Sequence, residues 1–455
     1  MWPEPSPRAT FAERRAALDR LLPGPKVLLS GLPRPRNFRN NPYPFRAESH
    51  FLYLIGESLV GAALLVDGDR TALYVEEPPP GDALWHGPRP SSRELGEELG
   101  LPVHRLSDLA AGEGVATLPP QDEESAVLLS ELLDRDVTPA SGDEVEGRDA
   151  ALADAMIALR LRHDAAAVTQ LRYAARVAEL AHAAGRAAVR PGRREAEIRA
   201  EMEREIVAAG CGLPYTPIVT IRGEVLHAVG HSGKLRPGDL LLADVGAETP
   251  EGFASDVTRT WPVAGRFTSV QRDVYEVVLA ASDAALAAVR PGARFLEVHR
   301  EAGRALLRGL IDLGLFRGDV EDLLQRGAAA LFFPHGVGHL LGLDVHDLED
   351  LGDRAGYAPG RPRLGGPGDR HLRLDRDLEP GMCVTIEPGF YRIPAVLEDP
   401  EALGDLEGAL DRRCLRSLES VRGIRIEDDV LVTNDGSEVL TRAIPRAVAD
   451  VERAG

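Results

Sequence analysis

Cysteine is scarce in this chain, with three in 455 residues (Cys211, Cys383 and Cys414) and none in a CxxC pair. So few thiols exclude a disulfide framework and point to a reducing compartment. Long apolar runs are missing as well. None approaches the roughly 18 residues of a membrane span, and the N-terminal MWPEPSPRATFAERRAALDRLLPG lacks the apolar core of a secretion signal. A cytoplasmic location with no membrane partner is expected. Basic charge is in deficit: 53 Lys and Arg face 72 Asp and Glu, a formal net charge of -19. That balance excludes a nucleic-acid partner, which needs a basic footprint, and favours solubility.

What is present is the composition of a globular protein, 44% apolar and 27% charged, in a chain long enough for two or three domains. Residues 1–150 read as an α/β domain. FAERRAALDRLL is an amphipathic helix, KVLLSGL a buried strand, and SLVGAALLVDGDRTALYVEE two strands joined in a hairpin at Asp67-Gly68-Asp69. RELGEELG and ESAVLLSELL come next as helices, and Asp136–Gly142 is the best linker candidate. Residues 151–455 open on a strongly helical stretch that stops at Arg190-Pro191-Gly192. A second helix ends at Gly210, and strands, two further helices (about 270–290 and 295–314) and more strands complete the chain. Leu351–Gly368 and Glu398–Glu407 look like surface insertions.

The second domain repeats itself. Ala188-Val-Arg-Pro-Gly recurs as Ala288-Val-Arg-Pro-Gly, and Leu235-Arg-Pro-Gly-Asp-Leu-Leu-Leu-Ala-Asp244-Val-Gly as Leu378-Glu-Pro-Gly-Met-Cys-Val-Thr-Ile-Glu387-Pro-Gly. Each half is helix, PG turn, helix, PG turn, then a strand ending in a carboxylate. A pseudo-two-fold arrangement of the halves brings Asp244 and Glu387 face to face.

Four acids sit where an acid should not be idle. Asp244 ends LLLA, Asp256 precedes VTRTWPV, Glu387 ends CVTI, and Glu427 lies between GIRI and DVLVT. Each alone reads as a strand-end acid reaching water, but four buried together require cations. A carboxylate-bridged metal pair supplies them, and oxygen donors with one imidazole suit Mn, Co or Zn. The imidazole comes from His335-Gly-Val-Gly-His339-Leu-Leu-Gly-Leu-Asp-Val-His346. The glycines between His335 and His339 argue against a helical zinc-protease motif.

These segments, with Leu226-His227, Ser255-Asp256-Val-Thr-Arg-Thr-Trp-Pro-Val and Gly423-Ile-Arg-Ile-Glu427-Asp-Asp, resemble the signature blocks of the aminopeptidase P and prolidase family. Asn41-Pro-Tyr-Pro-Phe-Arg-Ala-Glu-Ser-His-Phe-Leu-Tyr-Leu-Ile-Gly resembles that family's N-terminal domain, so the likeness covers nearly the whole chain. The resemblance implies an α/β N-terminal domain followed by an α+β pita-bread catalytic domain with its internal pseudo-two-fold duplication. It also implies two divalent metal ions held by Asp244, Asp256, His339, Glu387 and Glu427, with Asp256 and Glu427 bridging and Glu387 doubling as general base. By the same resemblance His227, His335 and His346 contact substrate and assist catalysis. Arg425 orients the carboxylates and joins the substrate-binding set, and Arg373 stands where prolidases hold a substrate's terminal carboxylate. Two departures concern spacing and size: Asp256 lies one residue further from Asp244 than is usual, an extra residue we place in the hairpin Glu248–Gly252, and Gly338 replaces a frequent Ser.

The expected activity is hydrolysis of the bond between a first residue and proline in peptides. The alternatives are a dipeptidase acting on Xaa-Pro alone, a catalytically inactive pita-bread binding module, and a creatine-type amidinohydrolase, a branch that lacks this metal set. The family likeness suggests a homodimer or homotetramer. Trp85 reads either as a core aromatic or, by resemblance, as a wall reaching a neighbouring subunit's active site.

Overall fold

A computed structural model describes residues 4–453, and their contacts divide the chain into two units. The first comprises Glu4–Leu161 together with Leu348–Ala355, and the second Arg162–Asp347 with Gly356 onward. The division falls later than the 150/151 boundary read from sequence because the helix Gly147–Arg160 packs on the first helix, α1 (Arg8–Leu21), and so joins the first unit.

In the first unit, β1 (Lys26–Leu29), β2 (Ala63–Val66), β3 (Ala72–Val75), β4 (Val103–Arg105) and β5 (Ala116–Thr117) form one sheet in the order β4-β3-β2-β1-β5. β2 and β3 are the expected antiparallel hairpin, with Ala63 opposite Tyr74. The buried face, including Val27, Leu29 and Leu65, packs on Leu106, Val115 and Leu129. Helix α2 (Ser49–Ile55) is capped by Glu48, and the buried Arg14 and Arg15 donate to the carbonyls of Tyr53 and Leu54 near its end.

Three readings change here. The Asp136–Gly142 stretch is not a free linker: Gly142 donates its N–H to the Asp350 carbonyl at 2.9 Å, and Asp143 accepts from the N–H groups of Asp353 and Arg354. Nor is Leu351 the start of a surface insertion; it is 1% exposed. The apolar Leu348, Leu351 and Ala355 bury themselves with the first unit, which a composition rich in Gly and Pro downstream concealed. Trp85 is no core residue either: it is 78% exposed on the one-turn helix Ala83–His86.

In the second unit the repeat is visible bond by bond. Helices α3 (Ala165–Ala188) and α4 (Glu195–Ala208) pack together, as do α5 (Ser269–Ala288) and α6 (Phe295–Asp312). Asp164 caps α3, and Thr268 with Gln271 forms a capping box on α5. After each helix pair the chain makes the same contacts. Gly192 N–H reaches Leu235 O at 2.9 Å and Gly292 N–H reaches Leu378 O at 2.7 Å. Glu195 N–H bonds Gly233 O as Phe295 N–H bonds Arg376 O, both at 2.9 Å.

The strands then deliver the acids. β6 (Ile218–Thr220), β7 (Leu240–Asp244) and β8 (Thr258–Pro262) form one antiparallel sheet, with Asp244 opposite both Ile218 and Thr258. β9 (Cys383–Ile386) pairs antiparallel with β12 (Asp428–Val432), which also pairs with β13 (Ser437–Val439). Between them, β10 (Gly389–Tyr391) pairs with β11 (Gly423–Arg425), setting Gly389 opposite Arg425. The β7–β8 connection turns at Thr249–Gly252, with Gly252 at φ 90. Among the described residues, no helix is long and apolar enough to cross a membrane.

Candidate metal centre

Asp244 closes β7, Asp256 stands just before β8, Glu387 just after β9, and Glu427 just before β12. Four strand ends therefore converge, and His339 joins them through its backbone. Thr385 donates its N–H to the His339 carbonyl at 3.0 Å, and its hydroxyl accepts the His339 N–H at 3.1 Å. The two segments run so close that a Cβ on Gly338 would lie 1.9 Å from the Thr385 carbonyl oxygen. In this chain the Gly that replaces a frequent Ser is required by the backbone.

The donor atoms fall into overlapping groups, each gathered within 4.8 Å: Asp244, Asp256 and Glu427; His339, Glu387 and Glu427; Asp256, His339 and His346. Glu427 and Asp256 are each shared between groups. Asp244, Asp256, His339 and Glu427 are buried, and the Glu387 side chain is 17% exposed.

Protonation states reveal what the cluster needs. Burial, then the neighbouring acids, pushes Glu427 well above the ordinary carboxylate range. Burial also raises Asp244 and Glu387, although Arg425 draws both down. Only Asp256 falls below its usual value, because the hydrogen bond and charge of His339 outweigh its burial. His339 donates from Nδ1 to the Leu340 carbonyl at 2.9 Å, which turns Nε2 toward Asp256 Oδ2 at 3.4 Å and Glu387 Oε1 at 3.8 Å. Acids that resist ionisation around a single imidazole, whose own pKa they raise, call for further positive charge between them. Oxygen donors with one imidazole fit a divalent transition metal.

A brace surrounds the donors. Arg425, 5% exposed, donates to Asp244 Oδ2, to Thr258 Oγ1 at 2.9 Å and to the Tyr391 hydroxyl at 3.1 Å. Its guanidinium is turned to these three protein groups. Thr258 donates its hydroxyl hydrogen bond to Glu427 Oε2 at 2.7 Å, and Tyr215 donates to Asp244 Oδ1 at 2.7 Å. Asp429 accepts the Asp256 N–H. Sequence reasoning misses Tyr215, Thr258, Tyr391 and Asp429.

His335 is neutral. Burial, then the Arg425 charge, takes it down to about 3. It donates from Nδ1 to the Gly336 carbonyl and accepts the Tyr391 proton at Nε2, both at 2.8 Å. Phe333 packs edge-on against the ring, with centroids 4.8 Å apart. His346 lies with its ring centroid 4.1 Å from that of His339. His227 joins none of the donor groups and is exposed on the loop after β6. Arg373 is also exposed, yet its charge contributes to depressing His335.

With that geometry in place, the likenesses to known proteins are specific. Residues 169–434 match metallopeptidase family M24, and residues 11–112 match the N-terminal domain of aminopeptidase P. The chain is 33% identical to a human Xaa-Pro dipeptidase, over 98% of this chain and 93% of that protein. It is 32% identical to Xaa-Pro aminopeptidase 2 of Streptomyces coelicolor, over 98% and 91%. Among solved structures, the aminopeptidase PepP of Pseudomonas aeruginosa superposes with a TM-score of 0.80 at 30% identity, over 100% of this chain and 98% of that one.

Proposed function

This chain belongs to metallopeptidase family M24, and we propose that within it the protein is an Xaa-Pro aminopeptidase, releasing the first residue of peptides whose second residue is proline. The observation that carries the reading is the convergence of Asp244, Asp256, His339, Glu387 and Glu427 into donor groups that share Asp256 and Glu427. These five would hold two divalent ions, Mn most naturally and Co or Zn as alternatives, with the shared acids bridging them. When bound, the ions supply a water of lowered pKa and polarise the scissile carbonyl.

The chain's own residues do the rest. Glu387, the most exposed of the four acids and 3.8 Å from His339 Nε2, accepts a proton from the attacking water. His346, beside His339, assists proton transfer to the departing proline nitrogen. Both nitrogens of His335 are engaged, so it offers substrate its ring face; with Phe333 at its edge it forms a wall for proline. His227 reaches the substrate from its exposed loop. We also propose a cytoplasmic protein acting as a homodimer or homotetramer. Supporting these are three free thiols and the exposed Leu84 and Trp85 in the first unit.

A second reading, a dipeptidase restricted to Xaa-Pro, is favoured by Arg373, whose charge is felt at His335. Relatives of both names match at similar identity. Hydrolysis of Xaa-Pro and Xaa-Pro-Xaa peptides by Mn-loaded enzyme, before and after chelation, tests the proposal. Useful turnover of the longer peptide, abolished by the chelator and restored by Mn, is expected. Full activity of metal-free enzyme overturns it, and brisk dipeptide cleavage with negligible turnover of every tripeptide installs the second reading.

A further inference from the structure

Glu195 opens α4 and is 2% exposed, an unfavourable place for a carboxylate unless donors meet it. They do, and all come from the two ends of one loop. Oε1 accepts the Ile221 N–H at 2.8 Å and the Thr220 hydroxyl at 3.1 Å, while Oε2 accepts the Gly233 N–H at 2.8 Å. The loop between these ends carries His227.

The internal repeat shows that the fold itself does not ask for this acid. The residue in register in the second half is Phe295, fully buried, and its backbone makes the same bond that Glu195 makes. One half fills the position with core hydrocarbon; the other places a buried charge there. The loop is pinned elsewhere too. The Ala196 N–H bonds the His231 carbonyl at 3.1 Å, and His231 Nε2 donates to the Pro217 carbonyl at 2.9 Å. Gly223 packs so closely on β11 that a Cβ there would lie 2.8 Å from the Gly423 carbonyl oxygen.

We infer that Glu195 is a positioning residue: its carboxylate clamps both ends of the Thr220–Gly233 loop and so sets where His227 meets the substrate. This rests on the reading of His227 as a substrate contact. A carboxylate suits the task because it presents two acceptor oxygens and no donor. Glu195→Gln keeps the shape but turns an N–H group toward one of the donors.

The test is a double-mutant cycle of Glu195→Gln with His227→Ala, alongside metal content and amide exchange of residues 221–233. In the wild-type background kcat/KM on an Xaa-Pro-Xaa peptide should fall about 10- to 100-fold, the scale of a misplaced active-site group. In the His227→Ala background the same change should cost less than about twofold. Metal content should stay full and loop exchange should accelerate. Equal losses in both backgrounds, or lost metal, would make Glu195 a general structural residue and overturn the inference. Unchanged loop exchange would overturn the clamp itself. Should Glu195→Gln fold poorly, Gly233→Ala enters the same cycle, since its Cβ would lie 2.5 Å from Glu195 Oε1. If His227→Ala alone leaves hydrolysis intact, the reading of His227 fails and the positioning role falls with it, while exchange still reports whether the clamp stands.

Discussion

Thr258 donates its hydroxyl proton to Glu427 Oε2 at 2.7 Å, so an uncharged side chain on one sheet fixes the orientation of an acid shared between donor groups on another. Thr258→Val removes that bond while keeping a β-branched side chain in the strand. Metal affinity should weaken by about 10- to 100-fold, the usual cost of losing a partner behind a ligand. Titration calorimetry with Mn measures this, and unchanged affinity would show that Glu427 holds its orientation without Thr258.

His346 is placed with Asp256 and His339 yet is assigned to proton transfer. His346→Ala should lower kcat by roughly 100-fold or more, the range of a general acid or base, with metal content unchanged by elemental analysis. Loss of an ion in this variant would make His346 a ligand instead.

Arg373 separates the two substrate lengths. A dipeptide presents a carboxylate after proline, which a guanidinium fork holds by two charge-assisted bonds; a longer peptide presents a neutral amide. Arg373→Ala should weaken catalysis on Xaa-Pro by roughly 1.5–3 kcal/mol and leave Xaa-Pro-Xaa nearly unchanged. Equal small responses from both substrates would reduce Arg373 to a surface residue.

The first unit carries its own pH dependence. Burial alone would raise the Asp350 carboxyl, but His50 and Arg160 overcome it and hold the group below the usual 3.8. His50 Nε2 donates to Asp350 Oδ2 at 2.9 Å, and Arg160 donates to His50 Nδ1 at 3.1 Å. A depressed folded-state pKa stabilises fully above the ordinary 3.8 and loses that contribution as pH falls through the folded value. Asp350→Asn should therefore cost about 1–3 kcal/mol at neutral pH, and denaturant curves of the two proteins should converge below pH 3.8.

The acids of the centre are legible in sequence because each ends or borders a short apolar run and the runs repeat. Their braces are not. Tyr215 meets an acid 29 residues away, Tyr391 meets Arg425 across 34, and Thr258 meets Glu427 across 169. No local periodicity marks such partners, which exist only once the strand ends have converged. The hairpins and long helices are readable for the opposite reason, since their signals lie within a few residues of one another. The docking of Leu348–Ala355 is hidden by long sequence separation too.

That segment leaves the second unit through Leu348, a residue in the left-handed region at φ 62. It supplies Asp350 to the buried His50 and the Asp353 and Arg354 amides to Asp143. Although its sheet is complete by residue 117, the first unit is a discontinuous body whose last piece is encoded near residue 350. During synthesis from the N-terminus it must wait, with His50 and Arg160 still lacking that carboxylate, until most of the second unit has been made. No single cut of the chain yields the first unit whole.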